Sequence, residues 1–263
     1  MRSSAPRGRG GPGGTSLRAA ALVVAAAVVL CAWWLLSLVV DSPVLPGPFA
    51  VLVRMAEIGP KVLLRHTGAS LGRVAAALFV ATAAALPLGL VMGRSRRIDR
   101  LIAPIAYLLY PVPKIALLPI VFLLVGIGDA ARVTVVVLVL FFQILVAVRD
   151  AARAIPSAYL VSFASIGGTR LQSLRFVLLP AILPELLTAL RLGTGTALAV
   201  LFFAETFFTN YGLGTFIVES WMRVSYPDMM AGIVAIALLG LLLFVVLDLV
   251  EHLVCWWKHR STR

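Results

Sequence analysis

Few side chains in this 263-residue sequence could act on a ligand, and they sit in apolar surroundings. Lys114 follows Pro111-Val112-Pro113, so an ammonium and a double backbone break arrive together within the apolar stretch from Leu101 to Gly126. Prolines remove backbone donors, and broken backbone in a membrane is tolerated only where protein buries it or a wet cavity receives it. Two readings stand: a kink on a transport path with Lys114 facing a polar lumen and attracting an anion, or a kink near an interface with Lys114 snorkelling to water. Gln143, Thr194 and Glu205 are further substrate-path candidates, each in or at the end of an apolar run. Thr194 belongs to a series with Thr188, Thr196, Gly193, Gly195, Ala197 and Ala199. That series reads first as a helix-packing face and second as a substrate-lining one. His66, His252 and His259 fall at ends or in loops, and the sequence has no HExxH and no Gly-Lys pair of a phosphate-binding loop. The chemistry left is passage of a solute, without catalysis, metal or cofactor.

A second stretch carries contact chemistry rather than ligand chemistry. Ala154 to Pro184 reads AIPSAYLVSFASIGGTRLQSLRFVLLPAILP. Pro156 can open a helix, on which Tyr159/Phe163 and Leu160/Ala164 are i,i+4 pairs. Gly167-Gly168 stops it, glycine being cheapest in the left-handed conformation of a helix end. Thr169 with Gln172 forms a capping box, which predicts a second short helix carrying Leu171, Leu174 and Leu178 and ended by Pro180. Apolar faces flanked by Arg153, Arg170 and Arg175 make this a docking surface.

The elements that position these residues follow from composition. The chain is 61% hydrophobic and 13% charged, with mean hydropathy +1.04, far above the roughly 45–50% apolar content of soluble domains. A spanning helix takes about 20 apolar residues. The sequence therefore predicts an all-α, polytopic membrane protein with about six spans, at 19–40, 71–92, 101–126, 130–148, 183–203 and 229–250, and no separate soluble domain. Residues 1–18 predict a disordered basic tail, 19–257 one transmembrane domain with the 154–184 loop, and 258–263 a basic tail. Ala50 to Ile58 predicts an interfacial helix on the outer surface within a polar stretch from Asp41 to Ser70, and Glu205 to Asp228 a second outer loop. Cys31 and Cys255 have no metal-ligand or disulfide spacing and read as inert packing residues.

The net charge of +12 does not point to nucleic acid, because the basic residues flank apolar segments rather than interleave with aromatics. With the N-terminus inside, sixteen lysines and arginines fall on the cytoplasmic side and five on the outer side, Arg73 and Lys114 lying within apolar segments. This asymmetry places both termini and the 154–184 loop in the cytoplasm. Lys114 is the one ionisable residue expected at mid-membrane, which disfavours a proton-coupled carrier.

The loop resembles the cytoplasmic signature of permease subunits in bacterial binding-protein-dependent ABC importers, E-A-A-x3-G-x9-I-x-L-P. Gly167 fits the glycine, Val177 the Ile position and Leu179-Pro180 the final Leu-Pro. The E-A-A positions hold Val161, Ser162 and Phe163, so the acidic residue is missing. LPGP at 45–48, MGRS at 92–95, YPVPKIALLP at 110–119, GIGD at 126–129, and ALRLG followed by Ala204-Glu205 are similar to the branch that imports sulfonates, taurine or nitrate. The resemblance implies a type I importer permease in the bacterial inner membrane. Its implied partners are a homodimeric twin, cytoplasmic ATPases and an extracytoplasmic binding protein. It also implies that Tyr159, Leu160, Val161, Phe163, Gly167, Gly168, Thr169, Leu171, Val177, Leu179 and Pro180 transmit force from the ATPase. The rival readings are an ATP-independent secondary transporter or channel with the loop as a gate, a non-transporting membrane scaffold, and a permease for thiamin-precursor pyrimidines.

Overall fold

The computed structural model describes residues 13–257, and among them the chain is helical with no strand. The helices are α1 Gly13–Val40, α2 Pro48–Ile58, α3 Pro60–Arg94, α4 Arg96–Leu109, α5 Leu118–Val125, α6 Asp129–Ala154, α7 Ser157–Ser165, α8 Arg170–Ser173, α9 Leu179–Glu205, α10 Leu213–Met222 and α11 Tyr226–Val254. Five helical stretches are long and apolar enough to cross a membrane. The sixth span is bent: α4 and the segment Lys114–Val125 meet at 83° across Pro111–Pro113. Proline fixes its own φ and donates no hydrogen bond, so two of them in three residues end one helix and redirect the next.

The core lies where α3, α6 and α9 pack together, with Ala77, Ala81, Ala85, Leu140, Ile144, Val148, Ala197 and Leu201 buried. Small residues let α3 approach α6 closely. A Cβ built on Gly93 would stand 2.5 Å from the Arg149 carbonyl oxygen and 2.7 Å from Ala152 Cβ, and one on Gly89 2.9 Å from Val148 Cβ. No side chain fits at either position, and close van der Waals packing is what binds helices when lipid removes the hydrophobic drive between them. By contrast α1 touches the rest mainly through α2, and no residue of its window Val23–Val40 is buried, Trp33 and Ser37 being half-buried. Helix α2 is tied to the start of α11 by Arg54, whose Nε lies 2.6 Å from Asp228 Oδ1. That hydrogen bond, followed by the one to Glu57, holds the Arg54 guanidinium above its usual pKa range.

Several expectations are corrected. Helix α1 already runs at Gly13, inside the stretch expected as a tail; residues 1–12 and 258–263 lie outside the described residues. Helix α3 starts at Pro60 rather than Leu71, one residue after Gly59 at φ +82°. At 1.5 Å per residue its 35 residues measure about 52 Å, against a hydrocarbon core of about 30 Å, so the polar first turns extend beyond the bilayer. The stretch from Glu205 to Asp228 is not only loop. It contains α10, whose Leu213, Phe216, Ile217 and Ser220 are buried at i, i+3, i+4 and i+7. Cys255 is buried, but Cys31 is exposed rather than packed.

Candidate functional site

One face of α9 carries a continuous groove. Glu185, Thr188, Leu192, Thr196, Val200, Phe203 and then Phe207 recur every three or four residues, the spacing that keeps side chains on one side of a helix. They line three adjoining clefts. The first, of about 410 Å³, is walled by Tyr110, Gln143, Glu185, Thr188 and Thr196. The second, of about 230 Å³, shares Tyr110 and Gln143 and adds Lys114, Phe142 and Val200. The third, of about 650 Å³, shares Ile115 with the second and is closed by Phe122, Phe203, Phe207 and Phe208. The groove carries polar side chains at Glu185, Gln143 and Lys114 and is apolar at the end formed by Phe203, Phe207 and Phe208.

The bend after α4 puts Lys114 in this groove. Its Nζ donates to the carbonyl oxygen of Tyr110, next to the last turn of α4. It lies 5.0 Å from the centre of the Phe142 ring and 5.4 Å from that of Tyr110. A cation at a helix C-terminus and over aromatic faces is held without a carboxylate. Gln143 shares the cleft with it. Lys114 and Gln143, 29 positions apart in sequence, are thus brought together.

Thr194 and Glu205 are not in this groove. Thr194 is 2% exposed, and its hydroxyl donates to Leu190 O on its own helix at 2.9 Å. Two residues along a helix is about 200° around it, so Thr196 faces the groove while Thr194 faces the core. The same geometry divides the small-residue series: Gly193 and Ala197 are buried, Gly193 against Leu140, whereas Gly195 and Ala199 are exposed. Glu205 is 1% exposed and accepts from Arg73 Nη1 at 2.6 Å, from Ser70 Oγ at 2.8 Å and from the Gly214 N–H at 2.9 Å. Its carboxylate pins α3 to the first turn of α10. Arg73 also binds Asp129, which in turn accepts from Arg132, 2% exposed. Lys114 is therefore not alone: Arg73, Arg132 and Glu205 are ionisable groups within the helix bundle, and the sequence reading missed this network. Each sits near the end of an apolar run, and apart from Asp129–Arg132 at i,i+3 the partners lie 56 to 135 residues apart, which leaves no local pattern.

At the other end of the groove, Glu185 also borders a cleft of about 830 Å³ walled by Asp150, Tyr159, Phe176, Val177, Pro180 and Trp257. This is the 154–184 loop. Pro156 precedes α7, and Gly167 ends it at φ +85°. Gly168 is needed for a different reason, since a Cβ there would stand 2.2 Å from the Phe163 ring. The capping box is formed: the Thr169 N–H donates to Gln172 Oε1 at 2.8 Å, and the Gln172 N–H to Thr169 Oγ1 at 3.3 Å. Tyr159, Val161 and Leu171 are exposed by 63%, 64% and 75%, while Leu160, Phe163, Val177, Leu179 and Pro180 are half-buried beneath them. Pro180 does not end the second helix. A π-helical turn at Leu174–Leu178 leads from α8 into α9, with the Leu179 N–H on the Leu174 carbonyl. The wider turn accommodates the missing donor and the ring, so a single helical stretch joins the loop to the groove wall.

Known proteins share this architecture. The permease of the inward-facing MetNI methionine ABC transporter aligns with a TM-score of 0.60 over 73% of this chain and 96% of that one, at 21% identity. The Escherichia coli taurine transport system permease protein TauC is 33% identical over 219 residues, 81% of this chain and 80% of its own. The formylaminopyrimidine transport permease protein ThiX of Halalkalibacterium halodurans is 28% identical over 82% of this chain and 87% of its own. The aliphatic sulfonates transport permease protein SsuC of Bacillus subtilis, described as putative, is 26% identical over 84% and 80%. Residues 85–254, which hold the bent span, the exposed loop and the groove helix, match the binding-protein-dependent transport system inner membrane component, and the chain belongs to that family of multi-pass ABC transporter permeases.

Proposed function

We propose that this permease forms the translocation pathway for a small anion of the sulfonate, taurine or nitrate type, with the α9 groove as one half of the path. The observation that carries the reading is the single helical stretch from Arg170 to Glu205, which bears the exposed loop at one end and the groove wall along its length. Force applied to Leu171 by a docked ATPase is delivered along this stretch to the wall, with Tyr159 and Val161 of α7 adding contact area across the Gly167-Gly168 break. Lys114 supplies a cation in the middle of the groove, where Gln143, Thr188 and Thr196 offer neutral hydrogen bonds. TauC is a permease for taurine and SsuC a putative one for aliphatic sulfonates, and both substrates are small anions or zwitterions with a sulfonate group.

Gly195 and Ala199 of α9 are exposed at the edge of the groove. A second copy laid on it would close two facing grooves into one pathway, which favours a homodimer. The charge asymmetry of the sequence supports the loop and both termini lying in the cytoplasm, with the Arg73–Glu205 network toward an extracytoplasmic binding protein. The chain has no nucleotide site of its own in this reading, and the energy comes from the separate ATPase.

The test is reconstitution of the permease with its ATPase and binding-protein partners, and measurement of uptake of radiolabelled taurine, an alkanesulfonate, nitrate and a formylaminopyrimidine. ATP-dependent uptake of one of the anions is expected. Uptake without ATP would establish a secondary carrier instead, and uptake of the pyrimidine alone would remove the anion assignment.

A further inference from the structure

The outer end of the groove is closed by a short turn whose hold on the protein is unusual. After Glu205, residues Phe207 and Phe208 are exposed by 48% and 71%, and Phe208 has φ +50°. A bulky side chain rarely adopts the left-handed region, and keeps it only when the surroundings over-determine it. Here the surroundings are Arg132. Its Nη2 donates to the carbonyl oxygens of both Phe207, at 2.8 Å, and Phe208. Its Nη1 lies 3.3 Å from Asp129 Oδ1, and its buried Nε has no partner among the described residues. With the backbone so fixed, the Phe208 ring meets Phe122 of α5 edge-on at 6.1 Å. Phe203 and Phe207 line the same apolar cleft.

The geometry points to Phe207 and Phe208 as the outer seal of the pathway, and to Arg132 as the residue that positions that seal. The inference rests on the groove being the pathway. An apolar constriction excludes hydrated ions by dewetting, so two phenyl rings suffice to stop a small anion without a charged gate. The ends of the turn have a separate fastening: Gly212 and Leu213 are held by His66 and Ser70, and Glu205, Thr209 and the Tyr211 carbonyl by Arg73, all on α3. Arg132 lies on α6. Loss of its two bonds therefore frees the rings while the ends of the turn stay fastened. Asp129, whose side chain is 68% exposed, binds Arg73 and Arg132 together and keeps the two fastenings in register from the solvent side.

The seal is tested by access to the groove. In the full complex, with Cys31 and Cys255 replaced by alanine and Thr196→Cys introduced at mid-groove, a membrane-impermeant maleimide is added from the outer side of sealed vesicles in the absence of ATP. Labelling is expected to be slow in this parent. It should accelerate ten-fold or more in Phe207→Ala/Phe208→Ala, whose exposed rings can be removed without opening the core. Arg132→Met should accelerate it similarly, and Arg132→Lys, which still reaches one carbonyl, should fall between. Fast labelling in the parent, or labelling that the phenylalanine truncations leave unchanged, overturns the seal. If Thr196→Cys is instead labelled from neither side in any variant, the groove itself is not a pathway, and the reading beneath the inference fails.

Discussion

Arg73 Nη1 lies 2.6 Å from Glu205 Oε1, joining α3 to the end of α9 between side chains that are 7% and 1% exposed. Ser70 and the Gly214 N–H complete the carboxylate's partners. A buried charge pair with its hydrogen bonds satisfied can be neutral for stability compared with apolar residues, but removal of one partner strands the other.

Glu205→Met and Arg73→Met should each destabilise the folded permease by about 3–5 kcal/mol, whereas Arg73→Met/Glu205→Met should lose less than either alone. Thermal unfolding of the purified protein in detergent, read by tryptophan fluorescence, measures the difference. A double variant as unstable as the sum of the singles would show that the two side chains act separately.

Lys114→Met should lower uptake of an anionic substrate about ten-fold or more at unchanged protein abundance, because a charge-assisted hydrogen bond contributes about 1.5–3 kcal/mol. Lys114→Arg should keep part of the activity. Uptake by Lys114→Met equal to the parent would show that the ammonium only caps the Tyr110 carbonyl.

Gly167→Val places a β-branched residue at φ +85°, a cost of about 1–3 kcal/mol. Gly168→Ala forces the Phe163 ring from its place. Both should reduce ATPase co-purification and transport several-fold while membrane insertion persists. Pull-down of the complex from solubilised membranes reports this, and undiminished recovery with both variants would remove the loop from the docking surface.

Gly195→Cys and Ala199→Cys, on the exposed side of α9, should cross-link between two copies under mild oxidation. Ala197→Cys, fully buried against the core, should not. Equal cross-linking at all three positions, or at none, would place the twin elsewhere.

The local half of this molecule was legible in the sequence. Apolar runs of spanning length, the Pro111–Pro113 break, the glycine stop and the Thr169–Gln172 box are consequences of neighbouring residues, and the structure contains each of them. The same local rules misjudged Pro180. A proline ends a helix if the helix must stay α, and a π-helical turn at Leu174–Leu178 removes that condition.

What tertiary structure decided was which side each residue faces and what it meets there. Thr194 and Thr196 are equivalent as letters, yet one is in the core and the other in the groove, because about 200° of helical rotation separates them and packing on α6 fixes the phase. Glu205 looks like a free carboxylate until Arg73 and Ser70, 132 and 135 residues away, are folded against it. Periodicity yields the helix, but the desolvation of charges is settled only by long-range partners, and their positions exist only in the folded chain.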